Sequence, residues 1–331
     1  FRRVLFRSVG LFLYNEEDPY IEEFARQIQE EATVRFIIAG FDAGNSQPIQ
    51  NEQLEGFLRR KPFLAMINPV DRLASYALVR RLEAEDVPIV FFNREPLARD
   101  MALWENCYYV GAKAEQSGQM QADLVMELFG GDPAALNGYD RNGDGVIQLI
   151  VLKGEQGHQD AELRTRELLR SFEEGGFRLE LLAIEVANWK YDEAYEKIGT
   201  LERSHRGRIE LIASNNDAMA LGAIARLRQM SYFKDNNRNG AIDRYDSSWL
   251  PVVGIDGLED AERSIEDGYL YGTVMNDSRG MAKAMVELAS LLASGGDPAS
   301  GGDPASTSGF SYLLEEGKYI WIDYQPFVRN D

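Results

Sequence analysis

Short apolar runs, each followed by a longer amphipathic stretch, recur along most of this chain, and that alternation limits its fold more than any other feature. The runs read as strands are Val9–Tyr14 (VGLFLY), Val34–Ile38, Phe63–Asn68, Pro88–Asn93, Ile147–Lys153, Ile209–Ala213, Val252–Asp256 and Tyr271–Met275. Each is apolar nearly throughout, as a parallel strand shielded from water on both faces must be. Between them, Tyr20–Ala32, Arg72–Glu85, Ala114–Leu128, Ala161–Glu174, Tyr191–Leu201 and Ala218–Met230 follow helical patterns. Strand and helix alternating this often predict an α/β protein built of doubly wound parallel sheets. At 331 residues the chain has room for about two such domains, each with its own core.

Charge and side-chain inventory narrow the function classes. A net charge of -19 repels phosphate backbones, so nucleic acid is not an expected partner. One cysteine, Cys107, rules out an intrachain disulfide and a cysteine-rich zinc site, and it reads as a small buried hydrophobe. Two histidines, His158 and His205, leave little room for histidine-based metal chemistry. No apolar run reaches the roughly 18 residues of a membrane span. Residues 1–8 (FRRVLFRS) lack the apolar core and small-residue cleavage site of a signal peptide, so no export signal is read in this chain.

Polar residues punctuate the ends of several strands: Asn15, Asn93, Asn215–Asn216–Asp217, Asp256 and Asn276–Asp277. Asn and Asp there can simply cap the next helix. They also stand at the carboxyl ends of parallel strands, where open α/β sheets bind ligands, and five such ends favour a binding crevice.

Two loops break the rhythm. Asp140-Arg-Asn-Gly-Asp-Gly145 matches the opening of a calcium loop, in which alternate residues point oxygens inward. Asp140, Asn142 and Asp144 offer side-chain oxygens, Val146 a backbone carbonyl and Gln148 an amide oxygen. Position 12 is Val151, however, so the bidentate carboxylate of a free-standing loop must come from elsewhere. The second loop repeats the spacing with Asp235, Asn237, Asn239, Ala241 and Asp243, and carries its own Asp246 at position 12; its more neutral ligand set makes it the weaker candidate. Either loop could instead be a metal-free Asx-rich turn. The hexapeptide GGDPAS, written twice within 295–306, reads as an exposed linker at 294–307.

Taken together, VFFNREP (90–96), YYVGAKAEQSG (108–118), DRNGDGVIQLIVLKGEQGH (140–158) with DAELRTRE (160–167), ASNNDAMALGA (213–223), VVGIDGL (252–258) and GTVMNDS (272–278) resemble the galactose/glucose-binding proteins of bacterial ABC sugar importers, in the type I periplasmic binding-protein class. The resemblance implies two lobes joined by three crossings, near Gly111–Ala112, Asn276–Asp277 and Tyr312–Leu314. The N-terminal lobe is then 8–111 plus 277–312, and the C-terminal lobe 112–276 plus 313–331. It places sugar contacts on Tyr14, Asp18, Tyr20, Asn93, His158, Asp160, Arg164, Trp189, Asn216, Asp256 and Asn276. Tyr20 stands where the family pattern has Phe. The carboxylate completing the first calcium loop falls on Glu210, while the second loop and the doubled GGDPAS depart from the pattern.

These residue types suit a pyranose. Asp, Asn and Arg engage adjacent hydroxyls in pairs, and the rings of Tyr20 and Trp189 cover the C–H patches of the sugar faces. Asp18 and Asn93 are placed to judge one hydroxyl's configuration, with a carboxylate able to serve more than one epimer, so both D-glucose and D-galactose are expected ligands. The implied function is non-enzymatic: capture of a monosaccharide between two lobes outside the cytoplasm, by a monomer free or lipid-anchored. The captured sugar passes to an ABC permease, with a chemoreceptor as a further reader. The rival readings are a sugar-responsive regulator or sensor on the same fold, and a sugar-modifying enzyme. The enzyme would use Asp160, His158 and Asp256 as acid–base groups, but no nucleophile–base pair accompanies them.

Overall fold

The alternating segments fold as two α/β units in the computed structural model, which describes residues 7–300 and 310–329. The first unit takes the chain up to Ala112, with β1 (Arg7–Leu13), α1 (Pro19–Ala32), β2 (Phe36–Asp42), α2 (Gln47–Leu58), β3 (Leu64–Ile67), α3 (Ser75–Glu83), β4 (Ile89–Phe92), the short α4 (Ala98–Met101) and β5 (Cys107–Gly111). The second runs from Lys113 to Asp277, with α5 (Ala114–Leu128), β6 (Ile147–Lys153), α6 (Gln159–Glu174), β7 (Leu179–Val186), α7 (Tyr191–Ser204), β8 (Leu211–Ser214), α8 (Asp217–Gln229), β9 (Val252–Asp256), α9 (Glu259–Glu266) and β10 (Gly272–Met275). The chain then rejoins the first unit through α10 (Ser278–Ala293) and β11 (Tyr319–Trp321), and ends in the second with β12 (Gln325–Val328).

The third crossing lies later than the sequence suggests. Residues 313–322 belong to the first unit, not the second, because β11 pairs in parallel with β5 and the Ile322 N–H donates to Gly111 O at 2.9 Å. The chain changes unit only at Ile322–Asp323. The doubled GGDPAS is in part outside the described residues. Of its described portion, Gly295, Asp297 and Ala299 are exposed, whereas Pro298 is buried in a short 3-10 turn over 298–300.

Each sheet has six strands, in the orders β11-β5-β4-β3-β1-β2 and β12-β10-β9-β8-β6-β7. All pairings are parallel except β12 against β10. Strand order reverses beside β1 in the first sheet and beside β6 in the second. Successive connections leave such a point in opposite directions, which opens a crevice at the carboxyl ends of the strands.

Local chemistry explains where the helices start and how they pack. Asp18 caps α1 with its carboxylate, Pro19 supplies the fixed φ of a first turn, and Ile21, Phe24, Ala25, Ile28 and Ala32 form the buried stripe. In the first unit Phe12 stacks on Phe41 with centroids 4.7 Å apart and meets Phe57 edge-on. The second unit is centred on β6, buried along its whole length. There α5 lies against α6 so closely that a Cβ on Gly118 would stand 2.5 Å from the Arg164 carbonyl oxygen.

That approach sets a contest of two terms. Alanine for a helix-interior glycine gains about 1 kcal/mol of propensity, whereas wedging a methyl against backbone costs about 1–3 kcal/mol. Because the obstructing atom is main chain and cannot swing aside, Gly118→Ala is expected to destabilise the protein by about 1 kcal/mol or more in urea unfolding. A midpoint at or above wild type would show that the two helices separate without loss.

Candidate functional site

In the first unit the candidate residues gather where β1 and β4 end. Tyr14 follows β1 and donates its hydroxyl to Asp18 Oδ2, while Asp18 Oδ1 accepts the N–H groups of Tyr20 (2.9 Å) and Ile21 (3.3 Å). One carboxylate thus caps a helix and orients a phenol. Burial, reinforced by the Asp18 charge, lifts the Tyr14 hydroxyl well above its usual 10, so it remains a donor. Asn93 follows β4 in the left-handed region (φ 59°), which Asn tolerates better than most residues, and its carbonyl accepts the Tyr109 hydroxyl at 2.9 Å. Tyr20 lies on the first turn of α1 and is buried, its ring edge-on to Phe24 at 6.0 Å. Arg94 escaped the sequence reading; its guanidinium sits 3.8 Å from the Tyr14 ring centroid and donates to Val70 O. Its one available signal was adjacency to Asn93.

In the second unit the remaining seven residues follow five neighbouring strands. His158 and Asp160 come after β6, Trp189 after β7, Asn216 after β8, Asp256 ends β9 and Asn276 follows β10; Arg164 reaches the same edge from α6. Arg164 is nearly inaccessible and donates to Asn215 O (2.6 Å) and the Tyr324 hydroxyl (3.0 Å), with Asp256 Oδ1 at 3.5 Å. Trp189 is only partly buried, at φ 66°, with its ring 5.8 Å from the Arg164 guanidinium and edge-on to His158 at 5.2 Å. His158 Nδ1 accepts the Asp160 N–H at 3.2 Å, capping α6. Asn216 caps α8 by accepting the Met219 N–H (3.0 Å) and donates to Trp189 O (3.1 Å). Three buried atoms on this edge, Arg164 Nε, Asn215 Nδ2 and Asn276 Oδ1, have no hydrogen-bond partner among the described residues. Tyr324 was also missed by sequence reading: it lies just past the third crossing, and only the fold brings it to Arg164.

Both Asx-rich loops are folded around a carboxylate. Glu210 accepts the N–H groups of Arg141 (2.6 Å), Asn142 (3.4 Å) and Gln148 (3.3 Å), while Asp140 accepts those of Gly143 and Gly145 (both 2.8 Å). Burial, with the Asp140 charge adding to it, raises the Glu210 carboxyl above its ordinary value. Gln148 is buried and its Oε1 has no partner among the described residues. In the second loop Asp246 accepts from Asn236 N (2.6 Å), Asn237 N (3.0 Å) and Asp243 N (3.1 Å), and Asp235 from Asn239 N and Gly240 N (both 3.0 Å). Asn237 and Asn239 donate their side-chain amides to Asp243, and Ala241 N–H donates to Asn239 Oδ1 at 2.9 Å. Among the described residues no group of three or more His, Cys, Asp or Glu is arranged to hold a metal.

Two mostly parallel sheets built on discontinuous segments, each with polar residues along its strand carboxyl ends, define the architecture of a two-unit solute-binding protein. The chain belongs to the periplasmic binding protein domain family, whose model matches residues 9–297; this is a family of binding proteins rather than enzymes. It is 34% identical to the D-galactose/methyl-galactoside binding periplasmic protein of Haemophilus influenzae over 293 residues, 87% of this chain and 82% of that one. It is 25% identical to a putative rhizopine-binding protein of Rhizobium meliloti over 77% of this chain and 73% of that one. Among solved structures, it shares its fold with a periplasmic solute-binding protein of Actinobacillus succinogenes bound to D-allose (TM-score 0.77, 16% identity, 97% of each chain). The Caulobacter myo-inositol binding protein is similar in the same way (TM-score 0.75, 19% identity, 98% and 94%). The family implies a place outside the cytoplasm, and no helix among the described residues is long and apolar enough to cross a membrane.

Asp217 lies behind the second unit's edge, fully buried, and burial lifts its carboxyl to about 6 against the bonds it accepts. Its native pKa therefore exceeds the unfolded value of about 3.9. The folded state binds the extra proton, so this group adds stability below about pH 4 that is lost as pH rises through about 6. Relative to Asp217→Asn, which does not titrate, the wild type is expected to gain melting temperature between pH 7 and pH 4.5. A constant difference across that range would show that the carboxyl titrates normally.

Proposed function

We propose that this chain captures a monosaccharide, D-glucose or D-galactose, and delivers it to an ABC importer, acting as a monomer outside the cytoplasm. One observation carries the reading. Buried polar groups line the strand ends of the second unit around a partly open indole, and among them Arg164 Nε, a donor, and Asn276 Oδ1, an acceptor, lack partners among the described residues. A hydroxyl both donates and accepts, so a sugar can serve the two kinds of orphan at once, and the Trp189 face suits its C–H patch. Asn216 still has a free N–H and lone pair beyond its cap and its bond to Trp189 O. The 34%-identical relative, named for D-galactose, supports a hexose.

In this reading one sugar takes partners from both units: Tyr14, Asp18, Tyr20 and Asn93 from the first, and His158, Asp160, Arg164, Trp189, Asn216, Asp256 and Asn276 from the second. A ligand with partners on both favours the arrangement in which both reach it, and that ligand-dependent shape is what a permease or a chemoreceptor would read. Asp18 already spends one acceptor on Tyr14 and two on the α1 cap, so its remaining capacity is what would judge a hydroxyl's configuration.

The reading includes a structural calcium in the first Asx-rich loop. Gln148 Oε1 is an orphaned buried acceptor facing a loop of hard oxygens, as a site for calcium requires. Asp140, Asn142, Asp144, the Val146 carbonyl, Gln148 and Glu210 would hold the ion, which would tie the 140–148 loop to the start of β8. The set Asp235, Asn237, Asn239, Ala241, Asp243 and Asp246 is the weaker counterpart, since two of its first three ligands are neutral amides and its closing carboxylate is the shorter Asp.

Calorimetric titration with D-galactose and D-glucose is expected to show saturable binding. Trp189→Ala should weaken it about tenfold or more, or about 1.4 kcal/mol, with the melting temperature without sugar nearly unchanged. Silence with both sugars, and with ribose and myo-inositol, would end the sugar reading. For the metal, calcium added after chelation should raise the melting temperature, by an amount equivalent to about 2.7 kcal/mol at a hundredfold excess over Kd. Glu210→Gln should blunt that rise; a melting curve indifferent to chelator and calcium would remove the metal from the account.

A further inference from the structure

Asp256 ends β9 in a conformation that a side chain rarely adopts, φ 129°, and Gly257 follows at φ 77°. A non-glycine residue in such a region is strained and persists only where its surroundings over-determine it. The surroundings here centre on Asp217, the first residue of α8. Its Oδ2 accepts the N–H groups of Gly257 (2.7 Å) and Leu258 (3.0 Å), the two that follow Asp256. Its Oδ1 accepts the Thr273 hydroxyl on β10 at 2.7 Å. The carboxylate is also pinned from behind, since Gly254 has no Cβ and one placed there would stand 2.0 Å from Oδ1.

The turn that Asp217 holds decides where Asp256 points. On its other side Asp256 faces the Arg164 guanidinium at 3.5 Å, and its carbonyl accepts the Asn276 N–H at 3.0 Å. A slip of the 256–258 turn would move the Asp256 carboxylate and unsettle Arg164 and Asn276 with it. The Arg164 charge from α6 and the hydroxyl of Thr273 from β10 also act on Asp217.

We propose that Asp217 is a positioning residue for ligand binding, which touches no ligand and fixes the strained turn that presents Asp256. The inference rests on the reading that Asp256 contacts a sugar. Asparagine at 217 keeps an amide oxygen for the two turn N–H groups and an NH2 that the Thr273 hydroxyl can accept, whereas alanine removes the acceptor from two half-buried N–H groups.

The test compares wild type, Asp217→Ala, Asp217→Asn and Thr273→Val by calorimetry with D-galactose and D-glucose, with amide hydrogen exchange at Gly257 and Leu258. Asp217→Ala is expected to bind about tenfold or more weaker with both amides exchanging faster, and Asp217→Asn to stay within about threefold of wild type with both protected. If Asp217→Ala does not fold, Thr273→Val decides: a loss of about twofold or more supports the proposal. Unchanged affinity in a folded Asp217→Ala or in Thr273→Val, or equal weakening in the alanine and asparagine variants, overturns it while the sugar reading stands. A wild type silent with both sugars ends the sugar reading itself, and the proposal with it.

Discussion

A guanidinium nearly removed from water is the constraint around which the second unit's functional edge is organised. Burying an ion without partners costs several kcal/mol, so Arg164 can sit at the strand ends only if other elements bring acceptors to it. They come from the residue after β8, the end of β9 and the chain just past the third crossing. Burial alone would weaken Arg164's hold on its proton; Tyr324, Asp256 and Asp160 together reverse that. Tyr324, its own hydroxyl pushed up to about 12 chiefly by burial, stays neutral and available to accept. Each acceptor fixes an element that carries another polar group, which is why one charge orders a whole edge.

Tyr324 also links this edge to the crossings. Its N–H donates to Gln116 Oε1 at 2.9 Å, and Gln116 donates in turn to Asp323 Oδ1 at 3.3 Å. Gln116 is on the first turn of α5, a few residues past the first crossing, and Asp323 is the first residue past the third. The two strands of chain entering the second unit are therefore hydrogen-bonded to each other and, through Tyr324, to Arg164.

The two Asx-rich loops reach one local solution by different routes. In both, a buried carboxylate accepts the N–H groups of the loop's second and third residues. The first loop borrows that carboxylate from Glu210, 69 residues from Arg141, whereas the second supplies Asp246 only 10 residues from Asn236. A remote carboxylate makes the loop's shape depend on the packing of β6 beside β8. A local one lets the loop close on itself.

Much of the architecture was already written in the chain. Runs such as IQLIVLK and VVGID match β6 and β9 residue for residue, because a strand covered on both faces needs unbroken apolarity that a reader can count. Asn216 was visible as a strand-end residue able to cap the next helix, and it does cap α8, while Asp18 and His158, read only as sugar contacts, turn out to cap α1 and α6. Other elements left no such mark. β7 is an edge strand with half-exposed residues along most of its length, so its pattern is blurred, and β11 and β12 are three and four residues long. β11 is defined by pairing with β5, more than 200 residues away, which is why the last crossing was placed too early. The sequence by itself determined the α/β class, the strand-end polar residues and the two loop motifs, since all of these depend on spacing within a few residues. Tertiary structure alone decided that Tyr324 meets Arg164, that Arg94 covers Tyr14 and that Asp217 holds the Asp256 turn. Those are contacts between distant segments, set by which strands lie side by side and not by any local preference.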